Sequence, residues 1–188
     1  VIPTQIRVGE PERPAASAPL AGSGPTGREV CETSRFGSVE VDAGSVLTFP
    51  DGLIGLPGAR YALLCTDRRS PFYWLQSLED ARLALPVTDP HSFFRDFVVE
   101  LDDEESRRLG YDGESAVDVL VTVTATAQSA TVNLKAPILV REQQAHQVLN
   151  RAPGVQMKAP LPGVGVRAAQ PGAVPRAAQP GVGANGRH

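Results

Sequence analysis

The chain has 188 residues, room for about one ordinary domain, with 41% apolar residues and a net charge of −3. That balance disfavours a general nucleic-acid binder, because no basic excess is available to neutralise phosphates, and no run approaches the ~18 apolar residues that would span a bilayer. The opening Val-Ile-Pro-Thr-Gln-Ile-Arg lacks the apolar stretch of a secretory signal, and two cysteines are too few for a disulfide framework, so a soluble, intracellular protein is expected.

Composition divides the chain in three. Residues 1–34 hold nine Pro and Gly, and residues 151–188 hold thirteen, about a third of that segment. Such content without a collagen period is expected to stay disordered, because too little apolar surface is available to offset ordering entropy. Residues 35–150 carry all ten aromatic side chains, between Phe36 and Tyr111, and form the expected domain. This middle has seventeen acidic against ten basic residues, whereas 151–188 has five basic residues and no acidic ones. Arg-Ala-Ala-Gln-Pro-Gly occurs at 167–172 and again at 176–181. Two six-residue copies are too short for a solenoid unit and read as slippage in a tail.

In chain order, strands are expected at 36–41, 46–49, 61–65, 72–76, 83–88 and 93–101. Pro-Asp-Gly at 50–52, Leu-Pro-Gly at 56–58, Ser-Pro at 70–71 and Asp-Pro at 89–90 supply turns between them. Trp74, within Phe-Tyr-Trp-Leu at 72–75, is expected in the core. A short helix follows, with Asp102 as N-cap, acids at Glu104 and Glu105, Arg107 and Arg108 in the last turn, and Gly110 as a left-handed stop. Period-2 alternation then marks 117–125, with Val117, Val119, Val121 and Val123 on one face. It also marks 132–140, where Pro137 belongs at an edge or bulge. Each of these two strands is expected to bury one face. Short strands at about ten-residue intervals imply an all-β fold, a small, mostly antiparallel β-barrel or sandwich with one or two short helices and disordered tails.

No catalytic constellation is visible. His91 adjoins Ser92, but neighbouring side chains in extended chain point apart, and no nucleophile-elbow sequence is present. His91 and His146 read as structural. No metal-ligand spacing occurs, and the acidic run Asp102, Asp103, Glu104, Glu105 lacks the glycine turn of a calcium loop. The glycine-rich stretch 52–58 has no Lys after its glycines. No cofactor or metal is expected, and no enzymatic activity. The aromatic strand 72–75 and the basic tail leave a β-barrel nucleic-acid binder as the alternative to a protein-binding module.

Six stretches, in this order, resemble the FliW family of flagellar assembly factors. They are Phe-Gly-Ser-Val-Glu-Val at 36–41, Thr-Phe-Pro-Asp-Gly-Leu-Ile-Gly at 48–55, Phe-Tyr-Trp-Leu-Gln-Ser-Leu at 72–78, Val-Thr-Asp-Pro at 87–90, the stretch 97–103, and Ala-Thr-Val-Asn-Leu-Lys-Ala-Pro-Ile-Leu-Val at 130–140. The chain departs from the pattern at Leu56-Pro57, Leu85, Pro86 and Arg141. The resemblance implies a small β-barrel-like domain that is not an enzyme, a monomer when free, acting in the cytoplasm. It implies two partners: flagellin, bound before export, and CsrA, a regulator that blocks translation of the flagellin message. It implies no small-molecule substrate, no membrane and no direct contact with nucleic acid.

Contact residues are expected on exposed turns and termini, where function concentrates. These are Asp51 in its Pro-Asp-Gly turn, Gln76, Ser77, Glu79 and Asp80 after the aromatic strand, and Asp102, Asp103, Glu104 and Glu105 at the helix start. Their acidity would suit the basic face of an RNA-binding partner.

Overall fold

A computed structural model describes residues 4–6, 27–111 and 117–162. In chain order the strands are β1 (Thr4–Ile6), β2 (Arg28–Thr33), β3 (Gly37–Asp42), β4 (Val46–Thr48), β5 (Arg60–Leu64), β6 (Phe72–Ser77), β7 (Ala84–Thr88) and β8 (Val99–Leu101). The helix α1 (Asp103–Leu109) follows, then β9 (Asp118–Ala125), β10 (Ala130–Val132), β11 (Ile138–Arg141), β12 (Gln144–Gln147) and β13 (Ala159–Pro160).

Seven strands close a barrel in the order β11, β12, β4, β5, β6, β7, β9 and back to β11. Every neighbouring pair is antiparallel except β12 with β4. The expected all-β, mostly antiparallel barrel is the fold observed. Closure removes free edges from the barrel itself. Its interior is filled by Leu47, Phe49, Tyr61, Leu75, Val87, Leu120, Ile138, Val140 and Ala145. Pro86 is tolerated inside β7 for a specific reason. Ser77 N–H donates to Leu83 C=O (2.9 Å), so the β6–β7 bonds alternate and Pro86 turns its missing donor away from β6. On that side pairing with β9 begins only at Val87.

The outer wall of the barrel carries a second core. Val117, Val119, Val121 and Val123 pack there with Leu139, under Val99, Leu101, Leu109, Tyr111, Val148 and Leu161. The expectation of one buried face for 117–125 is therefore corrected: Leu120 is buried on the other side, in the barrel. Period-2 spacing identified the strand but not the layer of β8, α1 and C-terminal chain that covers its outer face. A third, small cluster of Cys31, Val41, Val46 and Ala62 seats the β2–β3 hairpin on the outside of the barrel. Trp74 lies on this outer side too. It is half-buried, edge-on to Phe36 (5.6 Å between centroids), with the Arg35 guanidinium 4.5 Å from its ring. Its expected core position is corrected accordingly.

Two expected strands are interrupted. Of 93–101 only β8 is extended, because Asp89 caps a 3-10 turn at Pro90–Ser92 and the chain turns again before Val99. The stretch 132–140 is split between β10 and β11. Asn133 Oδ1 accepts the N–H groups of Lys135 and Ala136 (both 3.1 Å), which folds a turn ahead of Pro137.

Ordered structure also runs past both ends of 35–150. β2 precedes Arg35, and β1 pairs with β8. Beyond Asn150, β13 pairs with β10, and Ala152, Ala159 and Leu161 are buried. The sequence boundaries rested on Pro and Gly content, yet a few apolar residues among the prolines suffice to dock 151–162. The expected tail disorder and the 167–181 repeat otherwise lie outside the described residues.

Candidate partner-binding surface

α1 is built as its sequence requires. Asp102 Oδ1 accepts the Glu105 N–H (2.8 Å), and Gly110 takes the left-handed conformation at φ 64°. Asp102 also meets Arg151 (3.2 Å). The Glu105 N–H, followed by Arg151, holds its carboxyl below the usual carboxylate range. Asp103 and Glu104 are exposed. Glu105 is half-buried, and burial, then the Asp102 charge, push its carboxyl upward.

The Pro-Asp-Gly turn brings Asp51 to the other end of this helix. Asp51 Oδ2 accepts from Arg108 Nη1 at 2.7 Å and lies 3.2 Å from His146 Nδ1 on β12. The Arg108 bond, then that of His146, lowers the Asp51 carboxyl. Behind Arg108, Arg141 lies over the Tyr111 ring and donates to Gly110 C=O, so the departure at 141 serves to hold the helix end.

The segment 146–149 is the seam between loop and helix. His146 contacts Asp51, Gln147 Oε1 accepts the Ile54 N–H (3.0 Å), and the Leu149 backbone lies near enough to the Glu105 carboxylate to favour its charged form slightly. Two large apolar side chains stand open beside these charges: Ile54 is 75% exposed and Leu149 40%. The structure thus sets Asp51 at one end of α1 and Asp102, Asp103, Glu104 and Glu105 at the other, with Asp51 paired to Arg108 and Asp102 to Arg151, and leaves Ile54 and Leu149 exposed beside them. Arg108, His146, Ile54 and Leu149 were missed by sequence reasoning. Their partners lie up to 95 positions away, and only the Phe-Pro-Asp-Gly-Leu turn hinted that the loop mattered.

The remaining candidates do not join this surface, and two of them are corrected outright. Gln76 and Ser77 are buried, at 0% and 1% exposure, and cannot touch a partner. Gln76 Nε2 donates to Ser77 C=O (3.0 Å), and Ser77 Oγ accepts the N–H groups of Glu79 and Asp80. Both side chains build the turn after β6. Glu79 is exposed but braces the far end of the 50–59 loop through the Ala59 N–H (3.1 Å). Asp80 pairs with Arg82 within its own turn.

The aromatic strand is committed to packing. Phe72 stacks on Phe93, Tyr73 packs against the barrel core, and Trp74 is covered by Arg35 and Phe36. A base-stacking platform needs such rings presented free to a strand.

A family model described as FliW protein matches residues 30–161, which spans the barrel, α1 and the 151–161 segment. The chain belongs to the FliW family. It is 36% identical over 132 residues to flagellar assembly factor FliW 2 of Desulfotalea psychrophila, covering 68% of this chain and 87% of that one. It is 38% identical over 108 residues to flagellar assembly factor FliW of Syntrophotalea carbinolica, covering 56% and 77%. A crystal structure of the flagellar assembly factor FliW superposes with a TM-score of 0.62 at 27% identity, covering 70% of this chain and 96% of that one. The barrel is thus shared with that crystal structure, and β1 lies outside the residues that the family model matches.

Proposed function

We propose that this FliW-family chain is a cytoplasmic, non-catalytic flagellar assembly factor that works by exchanging protein partners. It binds flagellin before export. When flagellin leaves, it binds CsrA and frees the flagellin message for translation. The observation that carries the reading is the FliW match over 30–161, the same residues that build the acidic and aliphatic surface. The acidic excess of residues 35–150, seventeen acidic against ten basic, supports CsrA as a partner, because an RNA-binding protein presents basic faces and complementary potentials speed encounter. Ile54 and Leu149 add exposed apolar side chains. Switching needs no bond chemistry, only a difference in free energy between two complexes.

The test is titration calorimetry of the full chain with flagellin and with CsrA from the same cell, each alone and then in competition. Binding of both, with flagellin weakening the apparent CsrA affinity, is the expected result. Binding of neither refutes the reading. Salt-sensitive binding of naked RNA instead would favour the nucleic-acid alternative.

A further inference from the structure

Within the region of the FliW match, β8 is held from one side only. Glu100 N–H donates to Asn150 Oδ1 (3.0 Å), and Glu100 C=O accepts the Arg151 N–H (2.8 Å). The N–H and C=O groups of Val99 and Leu101 therefore point to the opposite edge. Both of their side chains are fully buried, so this row of four backbone groups is fixed in place. Among the described residues its strand partner is β1, with Thr4 opposite Leu101 and Ile6 opposite Val99. β1 comes from outside the FliW match, with residues 7–26 between it and the domain. The sequence from 2 to 8, which includes β1, places β-branched residues at alternate positions, Ile2, Thr4, Ile6 and Val8.

We propose that the outer edge of β8 is a strand-addition site, occupied in cis by the chain's own N-terminal segment and open to an extended segment of a protein partner that displaces it. A fixed edge with unpaired groups is a template for another strand, and natural proteins cover such edges. Backbone pairing of this kind binds extended peptides with modest sequence demands, chiefly on alternate side chains. Tethering raises the local concentration of the cis strand to about millimolar, enough to exclude weak competitors and yield to stronger ones. The occupant in trans is thus an extended segment with β-branched residues at every second position.

The test uses the full chain and its Thr4→Pro, Ile6→Pro double variant, which removes both donors that β1 offers β8. Amide exchange at Val99 and Leu101 should be slow in the parent and about ten-fold or more faster in the variant, with Val121 and Leu139 unchanged as the control for folding. A variant with glycine at positions 4, 5 and 6 tests the same point without proline. A fluorescent peptide of residues 1–10, added in trans, should bind the variant, bind the parent at least about ten-fold more weakly, and restore protection at Val99 and Leu101. N-methylation of the peptide at Ile6 should abolish binding and N-methylation at Gln5 should not, because the Ile6 N–H, like that of Thr4, faces β8 and the Gln5 N–H faces away. Equal exchange in parent and variant overturns the cis contact. A variant that ignores the peptide, or equal sensitivity to both methylations, overturns strand addition.

Discussion

Asn150 is wholly buried and joins three segments, 98–100, Leu134 and its own 150–152, through one amide. Its Oδ1 accepts the N–H groups of Glu100 and Ala152 (3.0 Å each), and its Nδ2 donates to Val98 C=O (2.9 Å) and, at a longer 3.4 Å, to Leu134 C=O. Asn150→Ala strands two buried donors. Each costs about 1–3 kcal/mol, while the carbonyls, with two lone pairs, lose less. Partial relaxation and entry of water bring the expected loss to about 3–4 kcal/mol, a large share of the ~5–15 kcal/mol that holds a domain folded. Urea denaturation should show a lower midpoint at unchanged slope, and the Glu100 and Ala152 amides should exchange faster. Asn150→Asp keeps the acceptor but turns a carboxylate oxygen on Val98 C=O, so it should be at least as damaging near pH 7. Burial raises such a carboxyl, so the variant should recover stability as pH falls to about 5 and the acid gains a proton to donate. Because β8 runs directly into α1, the same variant should weaken partner binding through the acidic surface. A loss below about 1 kcal/mol, with exchange at Glu100 and Ala152 unchanged, would refute the bridging role.

Four further outcomes are expected. Glu104→Lys with Glu105→Lys should slow CsrA association and flatten its salt dependence, at a stability cost of about 0.3–1 kcal/mol per charge; stopped-flow rates across a salt series check this, and unchanged kinetics in a folded variant would remove α1 from the interface. Trp74→Ala should cost about 1.5–3 kcal/mol in urea titration, less than a core tryptophan, because the ring is only half-buried; a loss above about 4 kcal/mol would contradict its place on the outer wall. His91 lies 3.0 Å from Asp89 Oδ1 through Nδ1 and 3.0 Å from Phe97 C=O through Nε2, and the Asp89 bond raises its ring above the ordinary 6.5. Its contribution is full below 6.5 and lost as pH rises through the raised value, so stability should fall from about pH 6 to 8 and His91→Gln should flatten that slope, an identical slope counting against the pair. A chain cut to 35–150 should fail to give a cooperative melt, since it lacks β2 and buried Ala152, Ala159 and Leu161, the leucine alone contributing about 1.5–3 kcal/mol; a cooperative melt like that of the full chain would show these segments dispensable.

Much of the fold was written locally. Alternation at Val117, Val119, Val121 and Val123 specifies a strand wherever it is placed, because side chains alternate across any pleated chain. Asp102 and Gly110 bound α1 through bonds to residues within five positions, so the helix ends were legible from composition alone. The hairpin between β11 and β12 was not. Glu142 and Gln143 sit at φ 51° and 69°, a conformation costing about 1–2 kcal/mol per non-glycine residue. Their sequence lacks the Asn-Gly signal of such turns, and barrel closure imposes the geometry. Nor could the sequence distinguish Gln76 and Ser77 from Asp51 as polar residues near turns. Which of them faces solvent depends on the strands packed around them, a property of the closed barrel. The partner surface is of the same kind. Asp51 meets Arg108 across 57 positions and His146 across 95, and such contacts exist only once the chain has closed on itself. Local residue chemistry and the FliW motifs therefore determined the element types, the barrel class and the family. Packing alone decided which acids share a surface, because proximity between distant residues is set by tertiary contacts that no short stretch encodes.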